Sequence, residues 1–186
     1  MTKIVTDRLV IEPLTIDHAP AYLAYVTRNR AHLERWEPAR QPEYFTLAYQ
    51  MNAIADSELD ARAGTSSRFV AFARERGEIC ASVNLWTIAR GVTHSETLGY
   101  SVDASAQGAG IATEAVGAVV RHAFETLGLH RVQTSYQPTN ERSGRVLRKL
   151  GFVVEGYARD YLFIAGAWQD GILVSRTNSD WRPPAP

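Results

Sequence analysis

The sequence lacks any long apolar run, and no stretch approaches the roughly 18 apolar residues of a membrane-spanning helix. It has one cysteine, Cys80, so no disulfide can form within the chain, and a reducing compartment is the simpler expectation. Neither sign of charge is in excess, because 20 lysines and arginines balance 20 aspartates and glutamates. This balance argues against a protein whose whole surface coats nucleic acid or anionic lipid.

Signals for export and for metal binding are also missing from the sequence. Residues 1–14 lack the basic head, apolar core and small-residue cleavage site of a signal peptide. His94 and His130 do not have the spacing of metal ligands, so we expect no metal. We therefore expect a cytoplasmic protein that contacts neither membrane nor nucleic acid directly.

The spacing of apolar residues predicts a mixed α/β fold. We assign residues 1–182 to a single domain, which is long enough to bury a core, and residues 183–186 to a loose tail. Strands are predicted at 8–13, 68–73, 79–88, 98–102 and 131–136, with a closing hairpin at 152–164 and 168–176. Helices are predicted after a cap at Asp17 and at 42–61, 115–127 and 140–151.

A turn rich in small residues follows the predicted strand 98–102. Gly108 and Gly110 let backbone N–H groups turn toward one point, and the next helix adds its free N–H groups and dipole. Such a turn suits phosphate or pyrophosphate. A Walker loop needs Gly-Lys-Ser/Thr, which is absent, and a dinucleotide fingerprint needs a glycine where the chain has Thr113. A glycine-rich helix start without a ligand is the remaining alternative.

Several short motifs between residues 6 and 182 match one known family. They are Thr6-Asp7-Arg8-Leu9-Val10, Leu98-Gly99-Tyr100-Ser101, Gln107-x-x-Gly110-x-Ala112, Asn140-x-x-Ser143, Leu150-Gly151-Phe152, Glu155-Gly156-Tyr157-Ala158-Arg159-Asp160-Tyr161-Leu162 and Gly166-x-Trp168-x-Asp170. Four further motifs are Asn29-Arg30-x-His32-Leu33, Trp36-Glu37-Pro38, His130-Arg131 and Asp180-Trp181. The sequence resembles the GNAT acetyltransferases, in particular the RimJ type of the RimJ/RimL branch.

The resemblance implies a fold and a coenzyme. A GNAT fold is a mixed, mostly antiparallel sheet of about seven strands with flanking helices and splayed central strands. The co-substrate is acetyl-coenzyme A, whose pantetheine arm lies between the splayed strands and pairs with backbone groups of Ser101 and Val102. The residues that the resemblance places at the coenzyme are Ser101, Val102, Gln107, Gly108, Ala109, Gly110, Ile111, Ala112, Thr113, Asn140 and Ser143.

The resemblance also implies direct transfer of acetyl to the N-terminal α-amine of a protein, an alanine-starting ribosomal protein. Ser143 then hydrogen-bonds the departing sulfur as a catalytic residue. Relatives often carry a glutamate base where the chain has Thr97, and many carry a tyrosine acid where it has Leu147. Glu37 is the next candidate for holding or deprotonating the amine. The expected substrate-side residues are Trp36, Glu37, Tyr100, Asp160 and Tyr161.

Simpler roles remain open for several of these residues. Asn140 suits a plain helix N-cap, Cys80 suits a buried core position, and Asp160 suits a structural partner of an arginine. The acceptor could instead be a small-molecule amine. A non-catalytic ribosome-assembly accessory is a third reading, and the chain could act as a monomer or a homodimer.

Overall fold

A single mixed sheet organises the protein. The computed structural model describes residues 3–75 and 77–183. Within them the sheet has eight strands in the order β1-β2-β3-β4-β5-β6-β8-β7, and every pair is antiparallel except β5 with β6. The strands are β1 Ile4–Val5, β2 Leu9–Pro13, β3 Ser67–Ala73, β4 Ile79–Ala89, β5 Ser95–Val102, β6 Arg131–Tyr136, β7 Val153–Ile164 and β8 Ala167–Thr177. The strand beyond the expected seven is β1, whose two residues are too short for a pattern.

Five α-helices flank the sheet in the described part of the chain. They are α1 Ala19–Arg28, α2 Arg30–Leu33, α3 Leu47–Ala63, α4 Ile111–Glu125 and α5 Glu141–Lys149. None of them is both long enough and apolar enough to cross a membrane. Of the expected loose tail, residues 184–186 lie outside the described residues.

Two predicted helix starts are wrong. Asp17 is not a cap, because it lies inside a 3-10 turn, Ile16–His18, whose N-cap is Thr15. The predicted helix 42–61 is interrupted at Thr46, whose backbone is extended and whose hydroxyl accepts a hydrogen bond from the N–H of Tyr49. A side-chain oxygen of this kind caps a helix N-terminus, so α3 begins one residue later, at Leu47.

Two apolar cores lie on opposite faces of the sheet. On one face α4 and α5 pack over the strands, and Leu147 of α5 is fully buried there with Phe69 of β3. On the other face α1 and α3 bury Tyr25 and Ile54 against Val70. Phe69 and Val70 are neighbours in β3, and successive side chains of a strand point to opposite faces. The alternation therefore places α1 and α3 opposite α4 and α5.

Strands β5 and β6 separate after three residue pairs. The parallel ladder joins Ser95 to Arg131 and ends where Thr97 faces Gln133, although both strands continue. At the point of separation the hydroxyl of Thr134 donates a 2.7 Å hydrogen bond to the carbonyl oxygen of Leu98. Beyond it the facing edges of β5 and β6 form an open fork. The fork confirms the expected splaying of the central strands.

A carboxyl group is buried one residue before the fork. Glu96 is 1 % exposed and shares a strand face with Leu98, which belongs to the core under α4 and α5. Neither of its carboxylate oxygens has a hydrogen-bond partner in the part of the chain that the structure describes. Burial raises the pKa of Glu96 to about 9, so this carboxyl is mostly protonated at neutral pH.

This burial predicts a pH-dependent stability that Glu96→Gln removes. The folded chain binds the Glu96 proton more tightly than the unfolded chain, whose pKa is 4.5. The contribution of Glu96 to stability should therefore be greatest below pH 4.5 and should fall as the pH rises toward 9, by at most about 1.4 kcal/mol for each pH unit. Denaturant unfolding between pH 5 and pH 9 measures the loss. The exposed Glu78→Gln is the control, and a Glu96→Gln profile as steep as the wild type would contradict the assignment.

Candidate active site

A loop with unpaired backbone donors connects β5 to α4. Gly108 and Gly110 adopt left-handed backbone angles, with φ of 76° and 79°, which glycine takes without strain. Among the described residues, the N–H groups of Gly108, Ala109 and Gly110 have no hydrogen-bond acceptor. The first three N–H groups of α4 are also free, as at any helix start. These donors belong to consecutive residues, 108–113, and this arrangement suits an anion.

The start of this loop is tied to α1. The carboxylate of Asp103 accepts from Arg28 at 2.6 Å and from the buried amide of Asn29 at 3.0 Å. The amide oxygen of Asn29 in turn accepts from the N–H of Ala104 at 2.9 Å. Burial opposes ionisation of Asp103, but the hydrogen bonds from Asn29, Ser105 and Arg28 hold its pKa well below the usual range. A fixed negative charge therefore anchors the loop to the α1 side of the sheet.

Gln107 connects α2 to α5. Its amide nitrogen lies 2.8 Å from Nε2 of His32 in α2, and its amide oxygen accepts a hydrogen bond from Arg142 in α5. α2 directly follows α1, and α5 packs on the face of the sheet opposite α1. Gln107 thus connects two parts of the chain that lie 75 and 35 residues away from it.

The backbone of Tyr100 and Val102, not that of Ser101, faces the fork. The N–H of Asp103 bonds to β4 and the carbonyl of Leu98 bonds toward β6. Along an antiparallel strand, successive residues point their backbone N–H and C=O groups alternately to the two sides of the strand. Ser101 therefore points its backbone groups at β4, and Tyr100 and Val102 point theirs at the fork. The predicted backbone contact of Ser101 with a ligand in the fork is therefore wrong. The side chain of Ser101 instead lies 3.0 Å from the hydroxyl of Tyr25 in α1.

The first turn of α5 places a serine against the fork. The side chain of Asn140 accepts from the N–H of Ser143 at 3.1 Å and caps the helix, as expected. The hydroxyl of Ser143 lies 2.8 Å from that of Tyr100 on β5. Burial raises the pKa of Tyr100 to about 12 although the Ser143 hydrogen bond lowers it, so the phenol stays protonated. A Cβ on Gly144 would come within 2.8 Å of the Tyr136 ring, which shows how closely α5 approaches β6.

Glu37 lies on the α1 side of the sheet. Its carboxylate forms a 3.4 Å ion pair with Arg40 and lines a small pocket beside Tyr44. Burial raises the pKa of Tyr25, and the charge of Glu37 raises it further, so Glu37 is within electrostatic range of the phenol that contacts Ser101. No hydrogen bond or ion pair joins Glu37 to Ser143 in the residues described.

Comparison with known proteins decides the family. A family model described as "Acetyltransferase (GNAT) domain" matches residues 8–153 of the chain. The chain belongs to the GNAT acetyltransferase family. It is 36% identical over 182 residues to the [Ribosomal protein uS5]-alanine N-acetyltransferase of Escherichia coli K12, covering 97% of this chain and 93% of that protein. It is 33% identical to a probable N-acetyltransferase of Bacillus subtilis, YjcK, covering 92% and 95%.

Solved structures of GNAT enzymes share the whole architecture. The ribosomal-protein-S5-alanine acetyltransferase of Vibrio fischeri superposes with a TM-score of 0.95 at 34% identity, covering 98% of this chain and all of that one. Mycobacterium smegmatis RimJ, solved in complex with a coenzyme A disulfide, gives a TM-score of 0.86 at 30% identity, covering 91% and 81%. The chain is therefore a RimJ-type acetyltransferase by homology, from a family that uses acetyl-coenzyme A.

The closing hairpin of this GNAT chain carries the remaining predicted residues. Asp160 sits in a bulge of β7 with a positive φ of 48°, and its N–H donates to Asp170 at 2.9 Å. The ring of Tyr161 is 45 % exposed and packs against Gly171. Asp160 makes no ion pair with an arginine among the described residues, and its role stays a prediction. In those residues, no hydrogen bond, ion pair or ring contact joins Trp36, Asp160 or Tyr161 to the fork.

Cys80, His94 and His130 have packing roles in the fold. Cys80 is buried and donates to the carbonyl of Ala71, and burial raises its pKa to about 11. His94 and His130 pack their rings against Trp181, with centroids 4.9 and 5.5 Å away. Within the described chain, no group of three or more histidine, cysteine, aspartate or glutamate side chains could hold a metal.

Two residues of the site were not predicted. Tyr25 and His32 contact predicted residues, yet their partners lie 76 and 75 positions away in sequence. Only the motif around His32 marked that residue beforehand, and it gave no role. Contacts at such distances follow from packing of the elements, which no local pattern encodes.

Substitutions of Asn140 should separate its capping role from any other. Asn140→Ala removes the acceptor for the Ser143 N–H and should lower the free energy of unfolding by about 1 kcal/mol. Asn140→Asp keeps an oxygen acceptor and a charge that suits a helix N-terminus, so it should retain wild-type stability. Denaturant unfolding compares the two variants, and equal losses in both would contradict the capping role.

Proposed function

We propose that the protein transfers acetyl from acetyl-coenzyme A to the N-terminal α-amine of an alanine-starting ribosomal protein in the cytoplasm. The observation that carries this proposal is 36% identity over 97% of the chain to an enzyme named for that alanine substrate. The open fork and the adjoining loop with free donors support it independently, since both suit an acyl-coenzyme A. A homologous enzyme acting on a small amine would share the fork but not need an alanine-starting protein.

The fork and the loop fit the coenzyme. Backbone groups of Tyr100 and Val102 pair with the amides of the pantetheine arm, and the N–H groups of residues 108–113 hold the pyrophosphate. The hydroxyl of Thr113 and the side chain of Gln107 border that position. Helix α5 carries four cations, Arg142, Arg145, Arg148 and Lys149. Its single acid, Glu141, is the first residue of the helix and pairs with Arg145 at 3.2 Å. This local positive charge favours the phosphates although the whole chain is neutral.

The acceptor amine is bound on the α1 side of the fork. Glu37 orients the amine there and accepts its proton directly or through water, and Trp36, Asp160 and Tyr161 border the peptide. Thr97 occupies the strand position where many relatives have a glutamate base. Glu96 does not replace that base, because it faces the opposite core and is mostly protonated at neutral pH.

A site without a strong base can still deprotonate an α-amine. Its pKa is about 7.7–8.0, so deprotonation at pH 7 costs about 1 kcal/mol. The same step on a lysine side chain of pKa about 10.4 costs roughly 4.6 kcal/mol. A site that relies on one partly exposed carboxylate, Glu37, therefore favours a protein N-terminus over a lysine.

Ser143 acts at the departing sulfur. The thioester supplies an activated acetyl group; the amine nitrogen forms the new bond to its carbonyl carbon as the carbon–sulfur bond breaks. The Ser143 hydroxyl then donates a hydrogen bond to the sulfur, and the Tyr100 hydroxyl at 2.8 Å orients it. Transfer is direct in a ternary complex, because the buried thiol of Cys80, with its raised pKa, is unsuited to form an acyl-enzyme.

Release of free thiol from acetyl-coenzyme A tests the function. Peptides that begin with alanine should be acetylated faster than peptides that begin with other residues. An N-terminally blocked peptide containing lysine should be inert. Mass spectrometry of the product locates the acetyl group. Turnover of small amines without turnover of any alanine peptide would favour the small-amine reading, and no release with any acceptor would favour a non-catalytic role.

Kinetics of Ser143→Ala test the proposed leaving-group contact. Loss of a hydroxyl that stabilises developing charge should lower kcat by about tenfold to 100-fold. The KM for acetyl-coenzyme A should stay within about twofold of the wild-type value, because the hydroxyl stabilises the transition state and not the bound substrate. Tyr100→Phe is the matched variant, since it removes only the hydroxyl behind Ser143 and should have a smaller effect. Wild-type turnover in Ser143→Ala would reject this role.

A further inference from the structure

A set of charged contacts connects residues 6–8, which precede β2, to the loop between β5 and α4, here called the coenzyme loop. The carboxylate of Glu114, in the first turn of α4, accepts from the Thr6 hydroxyl at 2.6 Å and from the backbone N–H of Arg8 at 2.9 Å. It also accepts from Nε of Arg8 at 2.7 Å and pairs with the far nitrogen of that guanidinium at 2.6 Å. The Arg8 side chain is thus held by two nitrogens on one carboxylate, which fixes its plane.

The third nitrogen of the same guanidinium reaches the loop. Nη1 of Arg8 donates to the carbonyl oxygen of Ala109 at 2.5 Å. A Cβ on Gly110 would lie 3.3 Å from Nη2 of Arg8, so the loop backbone passes directly against the guanidinium. Arg8 therefore contacts both the first turn of α4 and the turn that precedes it.

The direction of one peptide plane follows from this contact. The peptide between Ala109 and Gly110 is trans, so its carbonyl and its N–H point in opposite directions. Because Arg8 binds the carbonyl of Ala109, the N–H of Gly110 is turned away from Arg8. That N–H is one of the donors without an acceptor in the described residues. Gly108 and Gly110, on either side of Ala109, both adopt left-handed conformations.

We infer that Arg8, held by Glu114, is a positioning residue that aims the Gly110 N–H at the pyrophosphate of the coenzyme. The inference rests on the proposed use of acetyl-coenzyme A and assigns a task to two residues outside the fork. Burial opposes ionisation of Glu114, but hydrogen bonds from Thr6 and Arg8 lower its pKa, so it is charged at neutral pH and keeps Arg8 in place. A preset donor loses less entropy on binding than a mobile one.

The effect should depend on whether the donor substrate carries a pyrophosphate. Arg8→Met should raise the Kd for coenzyme A and the KM for acetyl-coenzyme A by about tenfold, with kcat unchanged at saturation. With S-acetylpantetheine, which lacks the pyrophosphate, kcat/KM should match the wild type. Arg8→Lys keeps the charge but cannot bridge a carboxylate and a carbonyl in one plane, so it should recover little of the loss. Glu114→Gln should fall between the wild type and Arg8→Met.

Arg74→Met is the matched control for general damage. The Arg74 guanidinium donates to the carbonyls of Thr6 and Asp7 in the same segment, at 3.4 and 3.2 Å, and forms no hydrogen bond or ion pair with the coenzyme loop among the described residues. Arg74→Met should lower the thermal stability about as much as Arg8→Met does, while the Kd for coenzyme A stays at the wild-type value. Equal losses in Arg74→Met, or equal losses with both donors, would show a purely structural role and overturn the inference.

Calorimetric binding of coenzyme A separates this inference from the proposed function. If the wild type does not bind coenzyme A, the proposed function fails before Arg8 is tested. If the wild type binds and Arg8→Met binds equally well, the positioning role alone is overturned. Binding that weakens only in Arg8→Met, Arg8→Lys and Glu114→Gln supports it, and this result does not require the acceptor to be known.

Discussion

The separation of β5 from β6 after Thr97 is the constraint on which the site depends. A parallel ladder normally satisfies the backbone groups of both strands, and here it ends after three residue pairs. Thr134 uses its hydroxyl to satisfy one carbonyl at the point of separation. The backbone of Tyr100 and Val102 is left facing an opening, where an extended amide-containing arm can add itself as a strand would. A continuous ladder would close the site.

Three separate parts of the chain hold the loop beside this opening. Asp103 ties its start to α1, Gln107 joins α2 to α5, and Arg8 fixes its last peptide from the side of β2. Each contact uses a charged or amide group, because such groups impose direction where apolar packing does not. The loop donors are therefore preorganised by long-range contacts, although the donors themselves are local backbone groups.

Much of the fold was predictable because local patterns encode it. Alternation of apolar and polar residues located β2, and the glycines before Ile111 marked the start of α4. The family motifs pointed to the splayed strands. The short strand β1, the cap at Thr15 and the interruption at Thr46 were missed. They depend on two-residue pairing or on single side-chain hydrogen bonds, which leave no periodic signal.

The sequence by itself determined the family, the glycine turn and the serine at the start of α5, since each is a contiguous pattern with a local physical cause. Only the tertiary structure decided which backbone groups face the fork. A shift of the strand register by one residue would turn the backbone of Ser101, in place of that of Tyr100, toward the opening. The tertiary structure also decided that Glu96 is buried and uncharged, and that Arg8 reaches a loop 101 residues away. Those outcomes depend on how distant elements pack, and packing is a property of the folded chain as a whole.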